Sequence, residues 1–249
     1  MSLRLIANWK LNGSIEFNHQ WAEDFFKNFS GSNFKSIGIA PASVYLDHLI
    51  KVIGDCGIEI GAQNIYEEES GARSGEISAP MIKDLGCKFS IIGHSERRLF
   101  FNESNKSISK KLNQANKNCV MPILCIGESA EENQRNITYD ALELQINEAL
   151  KDLCELHHLI IAYEPVWAIG SGKIPDPVEI NSIHKMIKDV VQSRFPKVSL
   201  NLVLYGGSVN SKNASSLFSQ ENIDGALVGG ASLSGKEFAL IANVLNELS

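Results

Sequence analysis

Leu159-Ile160-Ile161-Ala162-Tyr163-Glu164-Pro165 runs through four apolar residues and a tyrosine to a carboxylate and then a proline. No in-and-out alternation of polar and apolar residues marks the run. That pattern is what a strand buried on both faces of a parallel sheet requires. Seven further β-rich runs share the character: Arg4 to Trp9, Ile37 to Ala40, Ile58 to Ala62, Phe89 to Gly93, Met121 to Ile126, Leu202 to Gly206 and Gly225 to Gly229. Helical patterns fall between them, with Phe17, Trp21, Phe25 and Phe29 at a spacing of four and Phe238, Ile241, Ala242 and Leu245 on one face near the end. The clearest helix start is at Pro177, with Asp176 as N-cap and Glu179 placed to close a capping box.

Eight such units in 249 residues average about 31 each, the length of one βαβ repeat. No Pro/Gly/Ser-rich linker divides the series. The expected architecture is α/β, a single closed (β/α)8 barrel of eight parallel strands ringed by helices, with residues 1–249 as one catalytic domain. The rival, an open doubly wound sheet, would place a Gly-rich phosphate turn after its first strand, and residues 7–12 offer none.

Composition narrows the partners. Lys and Arg number 23 against 29 Asp and Glu, a net charge of −6, and no long run of either sign marks a nucleic-acid surface. A small anion remains compatible, because backbone amides and one lysine can make a positive pocket inside an acidic protein. No apolar run approaches the about 18 residues of a membrane span, and the N-terminus lacks a signal-peptide pattern. Cys56, Cys87, Cys119, Cys125 and Cys154 show no CxxC or zinc-ligand spacing, so they read as buried thiols of a reducing, cytoplasmic compartment. No metal and no cofactor is expected.

Working groups of such a barrel sit at the C-terminal ends of the strands. The polar residues there are Asn8 and Lys10, His94-Ser95-Glu96, Glu164, Gly206-Gly207-Ser208 and Gly229-Gly230. Burial is expected to raise the Glu164 pKa towards neutrality, as a general base beside a carbonyl needs. His94 precedes Ser95, a good N-cap, whose helix favours a neutral imidazole able to polarise a substrate oxygen. Lys10 could pair with a phosphate or a developing oxyanion. Taken singly, each admits a plainer reading: a salt-bridged glutamate, a structural histidine, a solvated surface lysine. Pro165, Val166, Trp167, Ala168, Ile169, Gly170, Ser171, Gly172 and Lys173 read as an apolar lid between a stiff proline and flexible glycines. The two glycine pairs suit phosphate binding by loop amides.

The motifs NWKLNG at 8–13, GHSERR at 93–98, AYEPVWAIGSGK at 162–173, YGGSV at 205–209 and LVGGASL at 227–233 resemble the triosephosphate isomerase family in order and spacing, from end to end. The resemblance implies a cofactor-independent TIM-barrel enzyme that interconverts dihydroxyacetone phosphate and glyceraldehyde 3-phosphate, in glycolysis and gluconeogenesis. It implies Glu164 as the base, His94 as the neutral electrophile, and Lys10 and Asn8 as stabilisers of the oxyanion, with Ser95 and Glu96 supporting. Gly170, Ser208, Gly229 and Gly230 would then bind the phosphate. A glutamate base, a neutral histidine and a closing loop are the known chemistry of that family, so these roles come to this chain by likeness, motif by motif. The irregular segment 63–77, beginning at Gln63, implies a loop that docks into a second subunit of a homodimer beside Lys10. The sequence departs from the usual pattern with Arg73-Ser74 in place of an aromatic residue and threonine, and with Ser171 for threonine. An aldolase-like barrel would need a strand lysine for a Schiff base or a metal cluster, and neither pattern is seen; a non-catalytic binding protein would be expected to lose one of Lys10, His94 and Glu164.

Overall fold

The computed structural model describes residues 4–168 and 175–248. Eight parallel strands pair in sequence order and the last returns to the first, closing a barrel. They are β1 (Leu5–Asn8), β2 (Ile37–Ala40), β3 (Glu59–Ala62), β4 (Phe89–Ile92), β5 (Met121–Ile126), β6 (Leu156–Tyr163), β7 (Val198–Tyr205) and β8 (Gly225–Val228). Closure is set by β1, where Leu5 pairs with Ile37 on one side and Ala226 on the other.

Six strands match the apolar runs to within one residue at either end. Two do not. β6 begins at Leu156 and β7 at Val198, because these strands extend at their N-terminal ends into a segment that is partly exposed to solvent. His157, His158, Ser199 and Asn201 are exposed there and interrupt the apolar pattern. The register shifts twice across this extension, and the Leu159 N–H donates to the Asn201 side chain at 3.0 Å.

Strand alternation sorts the apolar residues into two cores. Ile6, Ala40, Phe89, Ile91, Ile123, Ile160 and Leu204 fill the barrel interior. Their sequence neighbours Leu5, Ala7, Ile39, Ile92, Leu124 and Ile161 face outward to the helices. Each of these positions is buried, which explains why the runs they belong to read as unbroken apolar segments.

The helices supply the outer face. In α1 (Ile15–Asn28), Ser14 caps the N-terminus by accepting from the Phe17 N–H, and Trp21 and Phe25 are buried. Trp21 stacks on Phe25 at 5.1 Å and meets Phe238 of α10 (Gly235–Glu247) at 5.8 Å, so the first and last helices clasp each other over the closure point. In α8 (Pro177–Arg194) the Asp176 side chain accepts from the Val178 N–H at 2.9 Å. The expected capping box with Glu179 does not form. The Asp176 carboxylate is committed one residue earlier, and a second carboxylate brought back to it would be repelled. The thiols also divide: Cys87 and Cys125 are buried, whereas Cys119 and Cys154 are exposed and Cys56 is partly so. No helix among the described residues is long and apolar enough to cross a membrane.

His184 on α8 is enclosed beneath the site, edge-on to Tyr163 and within 3.2 Å of the Asn222 carbonyl. Burial drives its pKa down to about 3. The folded state therefore keeps this ring neutral, while the unfolded chain protonates it near its ordinary value of about 6.5. Stability from this group is present above that value and is lost as pH falls towards 3, at up to about 1.4 kcal/mol per pH unit. Urea unfolding between pH 7 and 4 should show this slope, and His184→Gln should flatten it by one proton while lowering stability at pH 7.

Candidate active site

The polar ends of β1, β4 and β6 meet at the C-terminal rim. Asn8, Lys10, His94, Glu164, Gly206, Ser208, Gly229 and Gly230 line one cavity of about 300 Å³. Of the residues expected to bind or react, only Gly170 falls outside the described residues, together with Ile169, Ser171, Gly172 and Lys173 of the expected lid.

Lys10 is placed by strain and three anchors. Its φ of +53° lies in the left-handed region, sparsely used by residues with a side chain. The Asn8 side chain accepts from the Lys10 N–H at 3.1 Å, and Gln63 donates to the Lys10 carbonyl at 2.9 Å and to that of Ala40 at 3.0 Å. Its ammonium meets Glu96 at 2.6 Å. The stem passes so close to Gly229 that a Cβ there would lie 3.3 Å from the Lys10 Cε, whereas a Cβ on Gly230 would meet open space.

His94, and not Ser95, caps α4 (Ser95–Phe101): its Nδ1 accepts from the Glu96 N–H at 3.2 Å. An imidazole that accepts at Nδ1 carries its proton on Nε2, so the neutral ring presents a donor to the cavity. Nε2 stands 3.0 Å from Glu164 Oε1. Burial opposes charging the ring, but the Glu164 carboxylate outweighs it and lifts the pKa above the ordinary value while the two groups face each other.

Glu164 is buried, with Oε2 accepting from the Ser95 N–H at 2.9 Å. Its pKa is lowered, opposite to the sequence expectation. Burial alone pushes the carboxyl up, yet His94, the Ser95 N–H and Lys10 together outweigh it. The group is thus a carboxylate at neutral pH, held in reserve by donors. Gly206 gives it room, since a Cβ there would lie 2.7 Å from the Glu164 Cγ.

Two further carboxyl-bearing networks were not read from the sequence. Glu128, just past β5, is fully buried and accepts from the Trp167 Nε1 at 2.6 Å and the Tyr163 hydroxyl at 3.1 Å. Burial raises its pKa. It anchors the described start of the expected lid, Pro165–Ala168, where the Ala168 N–H closes a turn on the Pro165 carbonyl at 2.8 Å. The rule that singled out Glu164, a polar group at the end of an apolar strand, applies equally to Glu128. In the loop at 63–77, Arg73 folds back to donate to the Tyr66 hydroxyl at 2.8 Å, with Glu68 at 3.4 Å, and Ser74 is exposed. The base of that loop is tied down by buried Lys111, which donates to Asn64 and Glu103, both at 2.8 Å.

A closed parallel barrel thus brings an ammonium, an imidazole and a carboxylate to one glycine-edged rim cavity, the groups that acid–base chemistry on a small anion needs. The family model described as triosephosphate isomerase matches residues 3–245. The chain is 42% identical over 240 residues to the triosephosphate isomerase of Enterobacter cloacae, covering 95% of this chain and 94% of the relative. It is 41% identical over the same length to those of Salmonella paratyphi B and Salmonella newport, with the same coverage. The chain belongs to the triosephosphate isomerase family.

The Ser95 N–H contact is open to a clean test. Proline is welcome at the first helical position, and His94, at φ −51° and ψ 141°, already has the backbone that precedes proline. Ser95→Pro should therefore fold, lose the donor to Glu164 and raise that carboxyl's pKa, as read by NMR titration of ¹³C-labelled glutamate side chains. An unchanged Glu164 titration would show that the amide does not hold the carboxylate.

Proposed function

We propose that the chain is one catalytic barrel that interconverts dihydroxyacetone phosphate and glyceraldehyde 3-phosphate, with Glu164 as the base, His94 as the electrophile and Lys10 as the stabilising cation. The observation that carries this reading is the convergence of the three side chains on one small cavity. Asn8 and Lys10 face the position of the developing oxyanion, and Glu96 holds the ammonium.

The chemistry follows from the contacts. In the free protein both Glu164 oxygens are occupied, one by the Ser95 N–H and one facing His94. Substrate binding has to draw the carboxylate off these donors and into the cavity. Its basicity then rises, because the groups that depress its pKa are left behind. Glu164 takes a proton from the carbon beside the carbonyl and returns it to the former carbonyl carbon, while the hydroxyl proton of the first carbon passes to the oxygen of the second. The Nε2–H of His94 polarises the carbonyl oxygen, and once Glu164 moves away the Glu96 N–H at Nδ1 keeps the ring neutral. Ser208, Gly229 and Gly230, with Gly170 of the lid, bind the phosphate dianion. Closure of residues 165–173 excludes water and discourages phosphate loss from the enediolate.

A homodimer belongs to the same reading. Leu11, Val44, Met81 and Phe101 are 96%, 80%, 54% and 66% exposed on the loops and helices that follow β1 to β4, an apolar surface suited to a second copy. Gln63, Arg73 and Ser74 mark the loop that would reach across. The reading also places the protein in the cytoplasm, where the glycolytic and gluconeogenic substrates are.

A coupled assay with glyceraldehyde 3-phosphate, on purified protein without added metal or cofactor, should show turnover. Glu164→Ala should lower it at least about a hundredfold while circular dichroism shows the fold intact. Near-native rates in that variant would overturn the role of Glu164. Arg73→Ala should leave the dimer intact in sedimentation analysis at micromolar concentration, because this side chain is spent on its own loop; dissociation would show that it reaches across to the second copy.

A further inference from the structure

Gly127 is the first residue past β5 and stands where the barrel loses a neighbour. β4 stops at Ile92, the partner of Leu124, and the chain then turns into α4. On the other side the ladder continues past the strands, with the Glu164 N–H donating to Ile126 at 2.8 Å and the Val166 N–H to Glu128 at 3.2 Å. Successive residues of a strand aim their N–H and C=O groups to opposite sides, so those of Gly127 face the missing strand.

Gln145 fills that place. It projects from α7 (Thr138–Leu150), its Oε1 accepting from the Gly127 N–H at 3.1 Å and its Nε2 donating to the Gly127 carbonyl at 2.8 Å. Gly127 in turn lies flush against the base, since a Cβ on it would fall 1.7 Å from the Glu164 carbonyl oxygen. The next residue, Glu128, anchors Trp167. A cavity of about 270 Å³, bounded by Cys125, Gly127, Glu164 and Val166, lies behind the segment, so packing alone does not brace it.

We infer that Gln145 is a positioning residue for the isomerisation: its side-chain amide takes the part of an absent strand and fixes residues 126–128, against which Glu164 and the stem of the lid are registered. The inference rests on the reading of Glu164 as the base. Gln145 touches no substrate and acts only through Gly127.

The test uses Gln145→Leu and Gln145→Glu beside the wild-type protein. Gln145→Leu removes both hydrogen bonds and should lower kcat about ten- to a hundredfold with KM within about twofold, since a displacement of about 1 Å at a catalytic group costs on that order. In Gln145→Glu the ionised carboxylate still accepts from the Gly127 N–H but opposes its carbonyl, and the protonated form donates again. The ratio of its kcat to the wild-type kcat should therefore rise at least about threefold from pH 8.5 to 5.5, a response that a merely structural role would not produce. A pH-independent ratio, a Gln145→Leu kcat within twofold of wild type, or a loss confined to KM would overturn the inference. Were Gln145→Leu not to fold, the pH ratio of Gln145→Glu would decide alone. A wild-type protein without activity would instead remove the reading of Glu164 on which the inference stands.

Discussion

The hydrogen-bond ladder that closes β8 onto β1 is the constraint on which the rest of the molecule depends. Leu5 is paired on both sides, with Ile37 and Ala226, and eight parallel strands joined in sequence order must then point their ends to one rim. Asn8, His94 and Glu164 are far apart in the chain and become neighbours only because each follows, or ends, a strand of that ladder. The aromatic clasp of Trp21, Phe25 and Phe238 protects the closure from outside, and the enclosed side chains of the interior support it from within.

Much of this was legible in the residues themselves. Continuous apolar runs with helical patterns between them are the direct imprint of strands covered on both faces, and they gave the strand count and the barrel. The extensions of β6 and β7 were illegible because exposed residues lie near their starts: His157, His158, Ser199 and Asn201 break the run that elsewhere marks a strand. Glu179 fitted a capping box in sequence, yet the geometry of Asp176 chose the Val178 amide.

At the site, which groups would come to one cavity was readable but their electrostatic state was not. Burial of Glu164 followed from the apolar run before it, and burial by itself raises a carboxyl pKa. What reverses the sign is a backbone N–H and an imidazole contributed by residues some 70 positions earlier, which only folding brings near. For the same reason His94 proved to be its own cap, since whether an imidazole or the following hydroxyl accepts the helix N–H depends on a turn that composition does not reveal. Gln145 gave no signal at all, because an amide on an outer helix looks like ordinary surface until the unpaired peptide it meets is known.

The left-handed backbone at Lys10 has a consequence for how robust the barrel can become. A side-chain-bearing residue held there costs about 1–3 kcal/mol, and Asn8, Gln63 and Glu96 are the restraints that keep it from relaxing. The simplest route to a hardier scaffold at this point runs through glycine, which would discard the ammonium together with the strain. On the reading of Lys10 as the stabilising cation, selection for heat tolerance and selection for turnover would pull this one position in opposite directions.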